Sequence, residues 1–305
     1  MTGEYEVIII GGGPAGLTAG LYTSRAKLDS LLIEKGLIGG QIANAERVEN
    51  YPSFPEGISG FELGELMHKQ ATKYGLKTLL AEVTGIELQE EQKVVKTTEG
   101  NFMAKVVIIA GGSAWQKLGI PGEEEFTGKG VSYCATCDAA FFRELPVAVA
   151  GGGDSAITEA LYLAKFASKV IVIHRRDQLR ASRILQEKAF SEAKIEFLWN
   201  NIVEEIEGKD TVKRLKLRQV KTGERAALDI SGIFVSVGLR PNTDYLKGIL
   251  SLDEAGHIIT NSQMETQIAG IYAAGDIRQN SARQAITAAG DGATAAIYAE
   301  KFLSK

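Results

Sequence analysis

Cysteine is almost missing from this chain: 305 residues hold two, Cys134 and Cys137, both in the stretch SYCATCDAAFF (residues 132–142). A framework of structural disulfides is therefore excluded, and so few thiols point to a reducing compartment, the cytoplasm. Histidine is scarce as well, and none of His68, His174 and His257 forms a second paired motif. A four-ligand structural zinc site is short of donors on that count. Positive charge has no surplus: 34 Lys and Arg against 38 Asp and Glu leave a net charge of −4, which speaks against nucleic acid as a partner. No apolar run approaches the ~18 residues of a membrane span. The opening MTGEYEVIII carries Glu4 and Glu6, where a signal peptide would be basic.

Glycine, by contrast, is abundant at 34 residues, above the usual share of about 7%, and it clusters. The length accommodates one large domain or two ordinary ones. An apolar run, VIII (residues 7–10), leads into GGGPAG (residues 11–16), then a helix-like LTAGLYTSRA and a second apolar run, SLLIEK (residues 30–35). This is a βαβ unit with Gly11, Gly13 and Gly16 on the G-x-G-x-x-G template. One glycine makes the turn, one lets a pyrophosphate approach, and one lets helix and strand pack closely; the helix start then offers free N–H groups to the anion. Glu34 lies 18 residues past Gly16 at the strand end, where a carboxylate accepts from ribose hydroxyls.

The pattern returns 140 residues later, in PVAVAGGGDSAITEALYLAKFASKVIVIHRRDQLR (residues 146–180), with Gly151, Gly153 and Ala156 on the template. No acid closes the second strand here; His174, Arg175 and Arg176 follow it, and then Arg180. Arginine forks suit a 2′-phosphate as a carboxylate suits a bare ribose. The first fingerprint thus favours FAD or NAD and the second favours NADP, the arginines as a plain solvated face being the weaker reading. A bound flavin and a diffusible NADP(H), with hydride passing between them, fit the pair. AKVVIIA (residues 104–110), IEFLWN, VKRLKLRQV, ISGIFVSVG and GIYAAGD (residues 270–276) read as further strands, and RQAITAAGDGATAAIYAEKFL as a helical tail. Composition shifts at residues 112–115 and 238–243 mark the two crossings of an inserted domain. The expected fold class is α/β: two Rossmann-like dinucleotide-binding domains, one inserted into the other.

For the cysteine pair, ligand count argues against zinc, and a minimal loop gains little from a structural disulfide. A redox couple beside a flavin is what remains. A thiolate attacks a disulfide only once its pKa falls from about 8.5 toward neutrality. Asp138 has two readings, a proton donor to the leaving thiolate or an N-cap for AAFF, and they do not exclude each other.

The motifs GGGPAG, EKGLIGGQ (residues 34–41), ENYP (residues 49–52), CATCD (residues 134–138), GGGDSA (residues 151–156), HRRDQLR (residues 174–180) and AAGDIRQNSARQA (residues 273–285) occur in this order from end to end. In these the chain resembles the low-molecular-weight, bacterial-type thioredoxin reductases. The resemblance implies a homodimer with an FAD domain (residues 1–113 and 244–305) and an NADPH domain (residues 114–243) that carries the CxxC. It implies electron flow from NADPH through FAD and the Cys134–Cys137 disulfide to thioredoxin. FAD would be held by Gly11, Gly13, Pro14, Ala15, Gly16, Glu34, Lys35, Gly40 and Gln41, with Asn50, Asp276, Arg283, Gln284 and Ala285 along the flavin. NADPH would be held by Gly153, Asp154, Ser155, His174, Arg175, Arg176 and Arg180. Cys137 would face the isoalloxazine, Cys134 would be the interchange thiol, and Asp138 the acid. Three positions depart from the family pattern: Ala139 replaces a usual glycine, Gly111 a threonine and Ala269 a proline. Because disulfide and NADP unit share a domain and both must reach one flavin, the inserted domain is expected to swivel at residues 112–115 and 238–243. The alternatives are a flavoprotein reductase for another protein or small-molecule disulfide, and a non-catalytic NADP(H) or redox sensor.

Overall fold

The computed structural model describes residues 2–45, 47–90 and 92–305, with Cys137 described through its backbone alone. The chain divides into two compact units, Met1–Ala114 with Arg240–Lys305, and Trp115–Leu239.

In the first unit the run VIII is the buried end of the strand Thr2–Ile10, which lies between Ser30–Glu34 and Gly100–Ile109. Both pairings are parallel, with Val7 opposite Ser30 and Val106. Lys77–Leu80 extends the sheet on one side and Ile271–Ala273 joins it through Gly100–Ile109. Parallel strands are covered on both faces, so the run is continuously apolar and its alternate residues serve two cores. Val7, Ile9, Leu32 and Ile108 pack with Leu17, Ala19, Ala295 and Ala299 from the helices Pro14–Arg25 and Ala285–Leu303. Ile8, Ile10, Ile33 and Ile109 face the other way, onto Ile86, Val95 and Phe102. Those last three sit on a meander of Val83–Leu88, Lys93–Thr97 and Gly100–Ile109 that the sequence reading did not anticipate.

The second unit repeats the plan. Its parallel sheet orders Ile195–Trp199, Lys169–His174, Pro146–Gly151, Gly232–Ser236 and Val131–Ser132. The helix Asp154–Leu163 covers one face through Ala156, Ile157, Ala160 and Leu163. The other face packs on an antiparallel meander, Asn201–Gly208, Val212–Gln219 and Arg225–Asp229. The mixed α/β class and the doubled Rossmann-like plan agree with expectation. The two chain crossings pair with each other as a ribbon, Ser113–Trp115 beside Leu239–Pro241. Among the described residues no helix is long and apolar enough to cross a membrane, and no group of His, Cys, Asp and Glu is placed to hold a metal ion.

Candidate active site

The first glycine turn is shaped by what a Cβ would strike. At Gly11, with φ of 109°, it would lie 2.3 Å from the Ala110 carbonyl oxygen, and at Gly16 it would lie 1.8 Å from that of Gly11. Gly13 stands in the open, its nearest neighbour 3.9 Å away, at the uncapped start of the helix whose first residue is Pro14, followed by buried Ala15. The turn therefore packs through Gly11 and Gly16 and leaves Gly13 open at a helix start, a geometry able to receive an anion. Gly40, at φ of 62°, backs onto it with a Cβ position 3.0 Å from Gly13 Cα. Glu34 reaches in from its strand end: Oε2 accepts from Gly12 N at 2.6 Å and Oε1 from Gly36 N at 2.8 Å. Each oxygen keeps a lone pair for a ribose hydroxyl. A cavity of about 280 Å³ opens here, lined by Gly11, Glu34, Lys35, Gly111, Asn242 and Tyr245 among others. Lys35 forms an exposed ion pair with Glu82 at 3.7 Å.

A second part of this unit gathers residues far apart in sequence. Gln41 Nε2 donates to the Ser113 carbonyl, and Ser113 Oγ donates to that of Asp276 at 3.2 Å. Asn50 Nδ2 donates to Gln284 Oε1 at 2.9 Å. The Asp276 carboxyl is raised from its ordinary value by burial, opposed by the Ser281 hydroxyl that donates to it at 3.0 Å and by the charge of Arg283. Arg283 has φ of 55°, and its Nη2 lies 3.4 Å from Nε2 of buried His257. Gln284 precedes the long helix that Ala285 begins. Asp291, on that helix, holds the preceding turn through Gly275 N at 3.1 Å and the Arg278 guanidinium at 2.7 and 2.8 Å. The contacts of Ser113, His257, Arg278 and Asp291 are not readable from the sequence, since no local pattern announces a partner that only folding supplies.

In the second unit a Cβ on Gly151 would lie 2.3 Å from Ser236 O, and one on Gly152 2.4 Å from His174 Nδ1. Gly153 again meets nothing within 4 Å. Asp154 and Ser155 begin the helix, and Asp154 Oδ1 accepts from Ser182 N at 2.6 Å. His174 is buried, with Nε2 3.0 Å from Gln178 O. Burial first, and then the three nearby arginines, lower its pKa against the bond to Gln178. Arg180 N donates to Gly152 O at 2.7 Å, which folds the arginine segment back onto the turn. Arg175, Arg176 and Arg180 line a cavity of about 390 Å³ with Asp177 and Lys221, whose charges pair with each other at 3.0 Å. Arg175, Arg180 and His174 also border a cavity of about 440 Å³ that reaches Gly151 and Ser236. The residues fit the two nucleotides: an open glycine beside a carboxylate in one unit, an open glycine beside arginines in the other. On the helix after the second turn, burial pushes the Glu159 carboxyl up to about 8, a group the sequence reading passed over.

Cys134 is disulfide-bonded. Its N–H donates to Ser132 Oγ at 3.0 Å, and its Sγ lies 3.3 Å from Thr136 Oγ1. Cys137 lies in the short helix Ala135–Asp138; its side chain is outside the described residues. Asp138 stands at the N-cap of the 3₁₀ turn Ala139–Phe142 but makes no capping bond with its side chain. It lines instead a cavity of about 360 Å³ with Phe141, Phe142, Leu145, Lys129 and Lys213 among others. Phe141 is 77% exposed beside the redox motif. Ala139 is buried and absent from the positive-φ residues, so alanine incurs no backbone strain at the position where the family pattern led us to expect glycine.

The family model for pyridine nucleotide-disulphide oxidoreductases matches residues 5–292. The thioredoxin reductase of Peptoclostridium acidaminophilum is 46% identical over 309 residues, covering 99% of this chain and 98% of the relative. That of Bacillus subtilis is 47% identical over 302 residues, covering 99% and 95%. Among solved structures, the thioredoxin reductase of Lactococcus lactis superposes with a TM-score of 0.96 at 47% identity, covering 98% of this chain and 99% of that one.

Proposed function

The chain belongs to the pyridine nucleotide-disulphide oxidoreductases, and from that premise we propose that it reduces the disulfide of thioredoxin with electrons from NADPH, passed through FAD and the Cys134–Cys137 pair. The observation that carries this reading is a disulfide-bonded Cys134 in a chain with two glycine turns, one ending on Glu34 and one on Arg175, Arg176 and Arg180. NADPH supplies hydride, and FAD holds two electrons before they pass to a disulfide. The unit Met1–Ala114 with Arg240–Lys305 would bind FAD. Gly11, Gly13, Pro14, Ala15, Gly16 and Gly40 frame the pyrophosphate, Glu34 and Lys35 the ribose end, and Gln41, Asn50, Asp276, Arg283, Gln284 and Ala285 the flavin. The unit Trp115–Leu239 would bind NADPH, with Gly153, Asp154 and Ser155 at the pyrophosphate. Arg175, Arg176 and Arg180 meet the 2′-phosphate, and His174 supports the turn from behind.

At the redox pair, reduction breaks the S–S bond and needs two electrons and two protons. Cys137 takes the flavin side and Cys134 the substrate side. The Cys134 thiolate attacks the substrate disulfide, and Cys137 then displaces the reduced substrate as the pair closes again. Asp138 delivers and recovers the proton at the leaving sulfur. The cavity beside Asp138, with Phe141 exposed at its edge, is where the thioredoxin surface would rest. A rotation about the two chain crossings would separate the half-reactions. So few thiols fit a reducing compartment, so we place the enzyme in the cytoplasm, and the family resemblance makes it a homodimer.

Stopped-flow mixing with NADPH or NADH, followed by oxidised thioredoxin, tests the reading. NADPH should bleach the flavin faster than NADH, and thioredoxin should restore its colour. No bleaching by either nucleotide rejects the proposal.

A further inference from the structure

Glu123 is 1% exposed, and a carboxylate at that depth is tolerated only when donors take up its oxygens. Three do so. Oε1 accepts from Leu118 N at 2.8 Å and from the Tyr133 hydroxyl at 2.7 Å, and Oε2 accepts from Gly119 N at 2.7 Å. Leu118 and Gly119 follow the first chain crossing, whereas Tyr133 directly precedes Cys134. Burial, and then the bond to Glu123, raise the Tyr133 phenol above its ordinary value, so it stays a donor throughout the neutral range. Hydrogen bonds to charged groups are the stronger class, and this one is fixed at both ends: the carboxylate by two backbone N–H groups, the tyrosine by its place after the strand Val131–Ser132.

We infer that Tyr133 is a positioning residue for the redox pair, its hydroxyl bond to Glu123 fixing the Cys134 backbone and so setting how readily the disulfide closes. The inference rests on the proposed reading of Cys134 and Cys137 as the redox couple. When the pair closes, its S–S bond forms as the substrate's S–S bond breaks; two electrons pass to the substrate sulfurs and the two thiol protons follow. The balance between dithiol and disulfide depends on how well each sulfur is held against the other. A firmly held loop favours the disulfide, and a loosened one favours the dithiol.

Two substitutions separate positioning from packing. Tyr133→Phe removes the hydroxyl alone. Glu123→Gln keeps an oxygen toward Leu118 N and Tyr133 but turns an NH2 group toward Gly119 N. Each full-length holoenzyme is equilibrated with glutathione redox buffers, thiols are counted by alkylation, and thermal unfolding is followed in parallel. Tyr133→Phe should favour the dithiol by about three- to tenfold, a potential about 15–30 mV more positive, with Tm lower by about 2–4 °C. Glu123→Gln, whose neutral oxygen still accepts from Tyr133 but without the charge and with Gly119 N unpaired, should lower Tm further and shift the potential the same way by a smaller amount. An unchanged potential in Tyr133→Phe overturns the inference, and so does a shift of opposite sign in Glu123→Gln. Failure of the underlying reading looks different: the wild-type pair would then stay oxidised after NADPH has bleached the flavin.

Discussion

Single residues in this chain are read differently according to whether their meaning is local. Glu34, Arg175, Arg176 and Arg180 stand out in the sequence because residue type at a fixed distance from a glycine turn suggests a chemistry by itself. Glu159 does not. It follows a helix pattern like any surface acid, and only burial raises its carboxyl to about 8. The sign of its effect on stability follows from linkage. Below an unfolded value of about 4.5 the group is protonated in both states and costs nothing. Between there and about 8 the folded protein holds a proton that the unfolded chain has lost, so stability falls as pH rises. Glu159→Gln is expected to match the wild type near pH 4.5 and to be more stable at pH 9. A difference of about 2 kcal/mol allows for the part of the side chain that water reaches. Thermal unfolding at the two pH values measures it; a variant no more stable at pH 9 contradicts the assignment. Asp138 shows a milder case, since the sequence left capping and proton transfer open and the structure shows no capping bond.

At the scale of elements, the two glycine turns make the same division of labour testable. Gly16 packs so closely on Gly11 that a Cβ would sit 1.8 Å from a carbonyl oxygen, while Gly153 has open space. Gly16→Ala should therefore purify largely without flavin and with a markedly lower Tm. Gly153→Ala should fold, losing about 1 kcal/mol at most as a helix N-cap, yet its KM for NADPH should rise roughly tenfold or more as the methyl meets the pyrophosphate. Flavin content, Tm and NADPH saturation curves separate the two; a Gly153→Ala enzyme with an unaltered KM would contradict the role of that turn. The buried parallel strands were visible in the sequence as unbroken apolar runs. The strands Val83–Leu88 and Arg225–Asp229 were not, because half or more of their residues are exposed and their pairing depends on neighbours in a meander, not on a hydrophobic period.

For the whole molecule, each compact unit carries core clusters of its own, Val7 to Ala299 and Ile8 to Ile277 in one, Ala135 to Phe234 and Phe126 to Val235 in the other. A unit with its own core and paired chain crossings is expected to fold alone. Residues 115–239 expressed separately should unfold in one cooperative transition and bind NADP+ with no bound flavin, as calorimetry and absorbance would report. A chain without a cooperative transition would show that the unit needs the rest of the protein. The amino-acid sequence by itself determined the two βαβ turns, the carboxylate-against-arginine contrast and the CxxC, because each is a short-range pattern whose spacing alone dictates its chemistry. Only the tertiary structure decided that Gln41, Ser113 and Asp276 form one hydrogen-bonded line, and that a buried Glu123 grips the residue before Cys134. Such contacts join segments whose approach is set by packing of the sheets, and no local period or propensity encodes it.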